Sequence, residues 1–164
     1  MTLSTPIAGG CQCGAVRYSV SVQLEKAHIC HCRMCQKAAG NYFMPFATAS
    51  RDAFEFSRGE PTWFHSCDPV KRGFCNRCGT PLVLDDTREE PIYIVLGSLD
   101  DPASVPPQYQ SGIEGRYNWF GAMNDLPGNT TEGDQDSPPQ WVTEIRESNH
   151  QHPDHETDTW EIKS

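Results

Sequence analysis

Alternation of apolar and polar residues through the first two thirds of the chain predicts a series of β-strands. In "AVRYSVSV", residues 15–22, apolar and polar residues alternate from the second position on, which is the period of a strand with one buried face. "PLVLDD" (81–86) and "IYIVLGSL" (92–99) predict two more strands, and the second is rich in β-branched residues. "AFEFSRGEPTWFHS" (53–66) predicts a hairpin, because aromatic residues flank a turn that contains glycine and proline.

One short stretch has a helical pattern. "RMCQKAAG", residues 33–40, combines good helix formers with Gly40 at the position of a helix C-cap. No repeat of fixed period interrupts the run of predicted strands. The pattern therefore predicts a mainly β fold, a small sandwich or open barrel with few short helices.

The composition changes after Asn124. "NDLPGNTTEGDQDSPPQ" offers little to bury and predicts a linker or disorder. We therefore expect one domain over residues 1–133 and an acidic, polar, mostly flexible tail over residues 134–164. The alternative is that apolar residues of the tail dock on the domain or add an edge strand. Those residues are Trp141, Val142, Ile145, Trp160 and Ile162.

The negative charge also lies in this tail. The net charge is −9, and from Asp125 onward ten acidic residues face only two basic ones. The near-neutral remainder argues against nucleic-acid partners, which require clustered Lys and Arg. No apolar run is long enough to span a membrane, and the first residues lack the pattern of a signal peptide. We expect a cytoplasmic protein, in which eight cysteines bind metal or react rather than form disulfides.

Two cysteine motifs together offer four metal ligands. Cys11 and Cys13 project to one face if they lie in an extended strand. Cys75 and Cys78 form the C-x-x-C-G pattern of a zinc knuckle. Four thiolates make a closed, structural zinc site. The alternative is a redox pair at Cys75 and Cys78, but that chemistry requires a following helix, and "CGTPLVLDD" predicts a turn into a strand.

The third motif, "CHCRMC", offers three thiols, Cys30, Cys32 and Cys35. Three ligands and an open position are typical of a catalytic zinc site. A zinc ion held by three thiolates is soft, so its natural exchangeable ligand is a substrate thiol. Three alternatives remain open: His31 is the fourth ligand, Cys67 is the fourth ligand, or the site is only structural.

Basic residues near this motif suggest how a substrate is held. Lys37 and Arg33 are candidates to bind the carboxylates of a small thiol substrate, and so is Arg72. Each is also an ordinary solvated charge in the absence of such a substrate. Three histidines of the tail, at positions 150, 152 and 155, predict adventitious metal binding at most.

Four segments, "GGCQCGAVRYSV", "CHCRMCQKAAG", "RGFCNRCGTPL" and "GSLDDP", follow one another in an order that resembles the glutathione-dependent formaldehyde-activating family. That family includes the centromere protein V type, and the resemblance covers roughly Ile7 to Gly133. It implies an Mss4-like fold of twisted sheets and two zinc ions. The structural ion would be held by Cys11, Cys13, Cys75 and Cys78, and the catalytic ion by Cys30, Cys32 and Cys35.

The resemblance also implies an activity. Members add glutathione to formaldehyde and form S-(hydroxymethyl)glutathione, which is a carbon–sulfur lyase reaction run in reverse. The leading hypothesis is therefore a zinc enzyme that makes or breaks a thiol adduct of a small electrophile, with glutathione as co-substrate. A non-catalytic zinc-bound interaction module is the second hypothesis, and a redox or metal sensor with labile thiols is the third.

Overall fold

The computed structural model describes residues 2–133 and 138–162, which form ten strands and two α-helices. The strands are β1 (Thr2–Gly10), β2 (Arg17–Val22), β3 (Glu25–Cys30), β4 (Met44–Ala49), β5 (Phe54–Arg58), β6 (Thr62–Cys67), β7 (Val70–Phe74), β8 (Pro81–Asp86), β9 (Ile92–Val95) and β10 (Tyr109–Ser111). The helices are α1 (Arg33–Ala39) and α2 (Pro139–Ser148). The prediction of a mainly β fold with few short helices is confirmed.

The strands form two sheets. The smaller sheet has the order β1-β2-β5, and the larger has the order β10-β3-β4-β9-β8-β7-β6. Neighbouring strands are antiparallel except β10 and β3, which are parallel. A single bridge between Gly9 and Leu99 joins the end of β1 to the segment after β9. The two sheets are thereby held together close to the first cysteine motif.

The larger sheet separates two hydrophobic clusters because its side chains alternate between faces. The main core lies between the two sheets and includes Tyr18 and Val20 of β2 with Ile94 of β9. On the other face, Met44 and Phe46 of β4 pack with Cys35 of α1. The same alternation therefore builds the core on one side and the support of "CHCRMC" on the other.

The predicted hairpin over residues 53–66 is wrong, because its two strands belong to different sheets. β5 pairs with β2, and β6 pairs with β7. Between them, Gly59 adopts a φ of +58°, and a Cβ atom there would overlap the carbonyl oxygen of Ala15. The turn thus carries the chain from one sheet to the other, while the apolar pattern specifies only that each segment is extended.

Helix α1 begins and ends as the sequence predicts. Gly40 caps its C-terminus in the left-handed conformation, with a φ of 60°, and its amide N–H bonds the carbonyl of Lys37. Cys32 is the N-cap, and its Sγ accepts from the amide of Cys35 at 3.4 Å. A thiol thus takes the place of the usual Ser or Asp, which positions two cysteines of the motif by helix geometry.

The end of the chain contacts the domain. After α2, the amide of His152 donates to the carbonyl of Gln12 at 2.7 Å, and Trp160 Nε1 donates to the carbonyl of Cys13 at 2.9 Å. These contacts at His152 and Trp160 are of the kind that the docking alternative describes, while the expected division into a domain and a mostly flexible tail stays a prediction. Residues 134–137, which directly follow the expected domain boundary, and residues 163–164 lie outside the described residues. No described helix is long and apolar enough to cross a membrane.

Candidate metal centres and active site

Four cysteines converge where the two sheets meet. Cys11 and Cys13 come from the turn between β1 and β2, and Cys75 and Cys78 from the turn between β7 and β8. All four sulfur atoms lie within 4.8 Å of one another. Cys13 Sγ is 3.6 Å from Cys11 Sγ and 3.8 Å from Cys75 Sγ. Tetrahedral zinc with bonds of about 2.3 Å separates its sulfurs by about 3.8 Å, so the cluster could hold such an ion.

The first pair of this cluster lies in a turn and not in the extended strand that the sequence predicts. The amide of Gly14 donates to the carbonyl of Cys11 at 3.0 Å, and Gly14 has a φ of +72°. Both pairs therefore use a turn that ends in a glycine. Each turn also aims amide N–H groups at sulfur, from Val16 to Cys11 at 3.2 Å and from Arg77 to Cys75 at 3.4 Å.

Hydrogen bonds and burial have opposite effects on the pKa values of Cys11 and Cys78. Burial raises the pKa of Cys78, but hydrogen bonds from Thr80 and from backbone amides outweigh burial and lower that pKa to about 6. Burial raises the pKa of Cys11 well above its ordinary value. The hydrogen bonds thus favour a thiolate at Cys78. Ionisation of a second thiol is disfavoured, because like charges in a buried cluster repel. A bound cation would remove that repulsion.

The three cysteines of "CHCRMC" form a second cluster, on the other face of the larger sheet. Cys30 ends β3, Cys32 caps α1 and Cys35 lies in the first turn of α1. Their sulfur atoms also lie within 4.8 Å of one another, and among the described residues only these two clusters have such geometry. Cys35 is buried, whereas Cys30 and Cys32 are half-buried. The second cluster could hold a metal ion with one side open.

The second cluster also stabilises a single thiolate. The hydrogen bond from Cys35 lowers the pKa of Cys30 to about 4, against a smaller effect of burial. The same contact, with burial, raises the pKa of Cys35. The guanidinium of Arg72 lies against Cys35 and opposes that rise. Positive charge is therefore already present at this cluster.

A glycine-rich segment that the cysteine motifs do not predict lies against the second cluster. β10 pairs in parallel with β3 and brings Ser111 opposite Cys30. Gly112 has a φ of +61°, and a Cβ atom there would lie 2.8 Å from the amide nitrogen of Cys32. The Gln36 side chain bonds the carbonyl of Gly115 at 3.0 Å. The two glycines of "SGIEG" were the available signal, because close backbone approach requires them.

The structure brings neither His31 nor Cys67 to the second cluster. His31 Nε2 lies 2.9 Å from the Gln110 side-chain oxygen, and its ring packs edge-on against Phe43 and Phe120. Cys67 is exposed at the end of β6. Three protein sulfurs therefore remain as the ligand set that this cluster offers.

The three basic candidates meet beside the second cluster. Arg72 is buried, with Nη2 3.5 Å from Cys35 Sγ and Nη1 3.8 Å from Met44 Sδ. Arg33 and Lys37 are exposed on α1. Together the three line a cavity of about 310 Å³. Arg72 is thus the candidate that touches the cysteines, while Arg33 and Lys37 lie at the rim.

Of the tail histidines, His152 is buried and contacts Thr157 and Arg58. No described histidine of the tail belongs to either cysteine cluster. The predicted adventitious metal binding therefore finds no group of ligands in the described part of the tail.

Comparisons with known proteins bear on the family and the fold of the chain. A family model described as glutathione-dependent formaldehyde-activating enzyme matches residues 6–114. A protein of Halomonas elongata with the provisional name of a glutathione-dependent formaldehyde-activating enzyme is 28% identical over 123 residues, which cover 69% of this chain and 78% of the relative. A crystal structure of a Rhodobacter sphaeroides protein superimposes with a TM-score of 0.53 at 23% identity, over 64% of this chain and all of that one.

Proposed function

Because the chain belongs to the glutathione-dependent formaldehyde-activating enzyme family, we propose that it makes or breaks the carbon–sulfur bond of a thiol adduct. The adduct joins glutathione, or another small thiol, to a small electrophile such as formaldehyde. The observation that carries the proposal is the second cysteine cluster, with three sulfurs, one open side and Arg72 against Cys35. The protein would then be a carbon–sulfur lyase.

Two zinc ions are part of the proposal. Cys11, Cys13, Cys75 and Cys78 would hold a structural ion, and Cys30, Cys32 and Cys35 a catalytic one. When bound, the catalytic zinc supplies an exchangeable position for sulfur, where a substrate thiol is held as thiolate. The eight cysteines are free thiols, which suits a reducing compartment such as the cytoplasm.

The side chains around the second cluster have separate tasks in this proposal. Arg33 and Lys37, at the rim, would bind the carboxylates of glutathione. Arg72 would offset the negative charge of the Cys35 sulfur, which it contacts at 3.5 Å. In the forward direction the thiol sulfur bonds to the carbonyl carbon, the C=O bond becomes C–OH, and the thiol proton ends on that oxygen. The reverse reaction returns the thiol and the carbonyl compound, and no oxidant is involved.

Zinc content tests the proposal. We expect two zinc ions per chain in the wild type and one in Cys32→Ser, because serine keeps the N-cap of α1 but removes a thiolate. Zinc X-ray absorption during titration with glutathione should add one sulfur to the wild-type spectrum only. Cys67→Ser, at an exposed cysteine outside both clusters, is the matched control and should retain both ions. One zinc ion in the wild type, unaffected by Cys32→Ser and by glutathione, would contradict the catalytic site.

A second candidate function, the zinc-bound interaction module, has one observation in its favour. Tyr117 and Trp119 stack with ring centroids 5.2 Å apart, and Tyr42 packs edge-on against Trp119 at 4.7 Å. All three rings are partly exposed, and exposed aromatic groups are enriched at binding surfaces. In the zinc experiment this function predicts that glutathione leaves the metal's ligands unchanged.

A further inference from the structure

An apolar cavity of about 400 Å³ lies beside the second cysteine cluster, and the reaction of formaldehyde does not need it. Its lining side chains are apolar apart from that of Arg72, and they come from α1, β4, β6, β7, β8 and β9. The principal ones are Ala38, Met44, Phe64, Phe74, Val83 and Val95. Phe64 is 62% exposed and stands at the mouth. Apolar walls with a single charged group are typical of a ligand site.

Arg72 connects this cavity to the cysteines. Its side chain lines both this cavity and the smaller one at Arg33 and Lys37. Its Nη2 contacts Cys35 Sγ, and its Nη1 contacts Met44, which is itself a wall residue. Its Nε is buried and has no hydrogen-bond acceptor among the described residues. Arg72 is therefore the charged group that the cavity wall shares with the cysteine cluster.

The size and chemistry of the cavity define its occupant. A water molecule takes about 30 Å³ of liquid volume, so an aldehyde of two heavy atoms would leave most of the cavity empty. Glutathione carries two carboxylates and an ammonium group, which suit the exposed Arg33 and Lys37 but not apolar walls. We propose that the cavity receives the apolar substituent of the electrophile, so that the substrates are hemithioacetals of larger alkyl or aryl aldehydes.

This inference rests on the proposed function and adds the substrate class. The thiol sulfur faces the cysteines, the apolar substituent enters the cavity, and the aldehyde oxygen lies at the Arg72 guanidinium, which lines the cavity and contacts Cys35. Formation of the adduct joins sulfur to the carbonyl carbon and converts the carbonyl oxygen to a hydroxyl that carries the thiol proton. Arg72 would stabilise the negative charge that develops on this oxygen.

Binding of S-alkyl glutathiones to the zinc-loaded protein tests the inference. S-hexylglutathione and S-methylglutathione place the same sulfur and peptide with different apolar substituents, and neither can be cleaved as a hemithioacetal. Each fully buried methylene improves affinity about fourfold. We therefore expect S-hexylglutathione to bind at least tenfold more tightly by isothermal titration calorimetry. Equal dissociation constants for the two ligands would overturn the inference.

Two pairs of variants locate the binding. Ala38→Leu narrows the cavity and should reduce the tenfold preference to less than threefold, whereas Ala103→Leu, at an exposed alanine outside the cavity, should preserve it. Phe64→Ala removes the exposed wall and should also weaken the preference, whereas His65→Ala, the exposed neighbour on the same strand, should not. A preference that survives both cavity variants would overturn the inference.

The binding experiment and the zinc experiment can fail independently of each other. If glutathione sulfur joins the zinc shell but chain length has no effect, the proposed function stands and the inference fails. If chain length matters but no zinc responds to Cys32→Ser, the proposed function fails and the cavity binds apolar groups for another purpose, which also contradicts the assigned substrate class.

Discussion

Arg17 is a charged residue in the interior, where it joins β2 to the end of the chain. Its side chain is 2% exposed and donates to both carboxylate oxygens of Asp100, at 2.7 and 2.6 Å, and to Glu156 at 2.8 Å. Burial lowers the pKa of the guanidinium, but the two carboxylates outweigh burial and raise the pKa. The two carboxylates therefore compensate the charge of Arg17. Because they differ in burial, removing Asp100 and removing Glu156 should reduce the stability by different amounts.

We expect Asp100→Asn to reduce the free energy of unfolding by about 3 kcal/mol, because it leaves the buried cation with only one partner. Glu156→Gln should cost less than about 1 kcal/mol, because the Glu156 side chain is 49% exposed and water replaces it. Urea unfolding of the two variants and the wild type measures both effects. Equal losses would show that burial of Asp100 does not control the strength of this ion pair.

At the same scale, the sequence names the seven ligand candidates and three basic residues, but it does not indicate that Arg72 is the one that touches a cysteine. Arg33 and Lys37 follow from their closeness to "CHCRMC" in the chain, and both lie at the rim. Arg72, which touches Cys35, is 37 positions away in sequence. Only the order of strands in the larger sheet, with β7 and β8 beside β9 and β4, brings Arg72 to Met44 and Cys35, and apolar periodicity does not encode that order.

At the scale of elements, the docked end of the chain depends on Gly14. A Cβ atom there would lie 2.7 Å from Trp160 Nε1 and would overlap the ring of His152. We expect Gly14→Ala to release residues 150–160, with amide hydrogen exchange at least tenfold faster by mass spectrometry. The matched control is Gly40→Ala, because Gly40 also has a positive φ but no atom within 4 Å of its would-be Cβ.

Both alanine variants incur the strain of the left-handed conformation, about 1–2 kcal/mol. Only Gly14→Ala adds the collision with the tail. Equal exchange rates of residues 150–160 in the two variants would mean that the tail is held by other contacts.

The elements also show where a sequence pattern stops being informative. The helix α1 and its Gly40 cap follow from local rules, because capping depends on neighbouring residues only. The hairpin at residues 53–66 fails because a strand's partner is set by the whole sheet. The contact of Trp160 with the carbonyl of Cys13 joins residues almost at opposite ends of the chain, and no local pattern predicts it.

At the scale of the whole molecule, the first cysteine cluster brings together turns from the two sheets. Its first pair belongs to the smaller sheet and its second pair to the larger one, 62 positions apart between Cys13 and Cys75. A metal ion bound there would restrict the unfolded chain and would tie metal affinity to folding. The second cluster draws its three thiols from one short segment and closes no comparable loop.

We therefore expect Cys75→Ser to lower the melting temperature by more than 10 °C, in the range that a loss of several kcal/mol produces in a domain of this size. Cys32→Ser should lower it by only about 2–4 °C, because the loss is local. Differential scanning calorimetry with zinc analysis of each sample measures this, and Cys67→Ser serves as the control. The opposite ranking of the two variants would place the structural ion at the second cluster.

The docked end of the chain has a consequence for the order in which the protein matures during synthesis. The four thiols of the first cluster are complete once Cys78 has left the ribosome, whereas Trp160, which covers the Cys11–Cys13 turn, follows about 80 residues later. At translation rates of 5–20 residues per second this is an interval of about 4–16 s. We expect metal to enter the cluster in that interval, before the end of the chain closes over the turn.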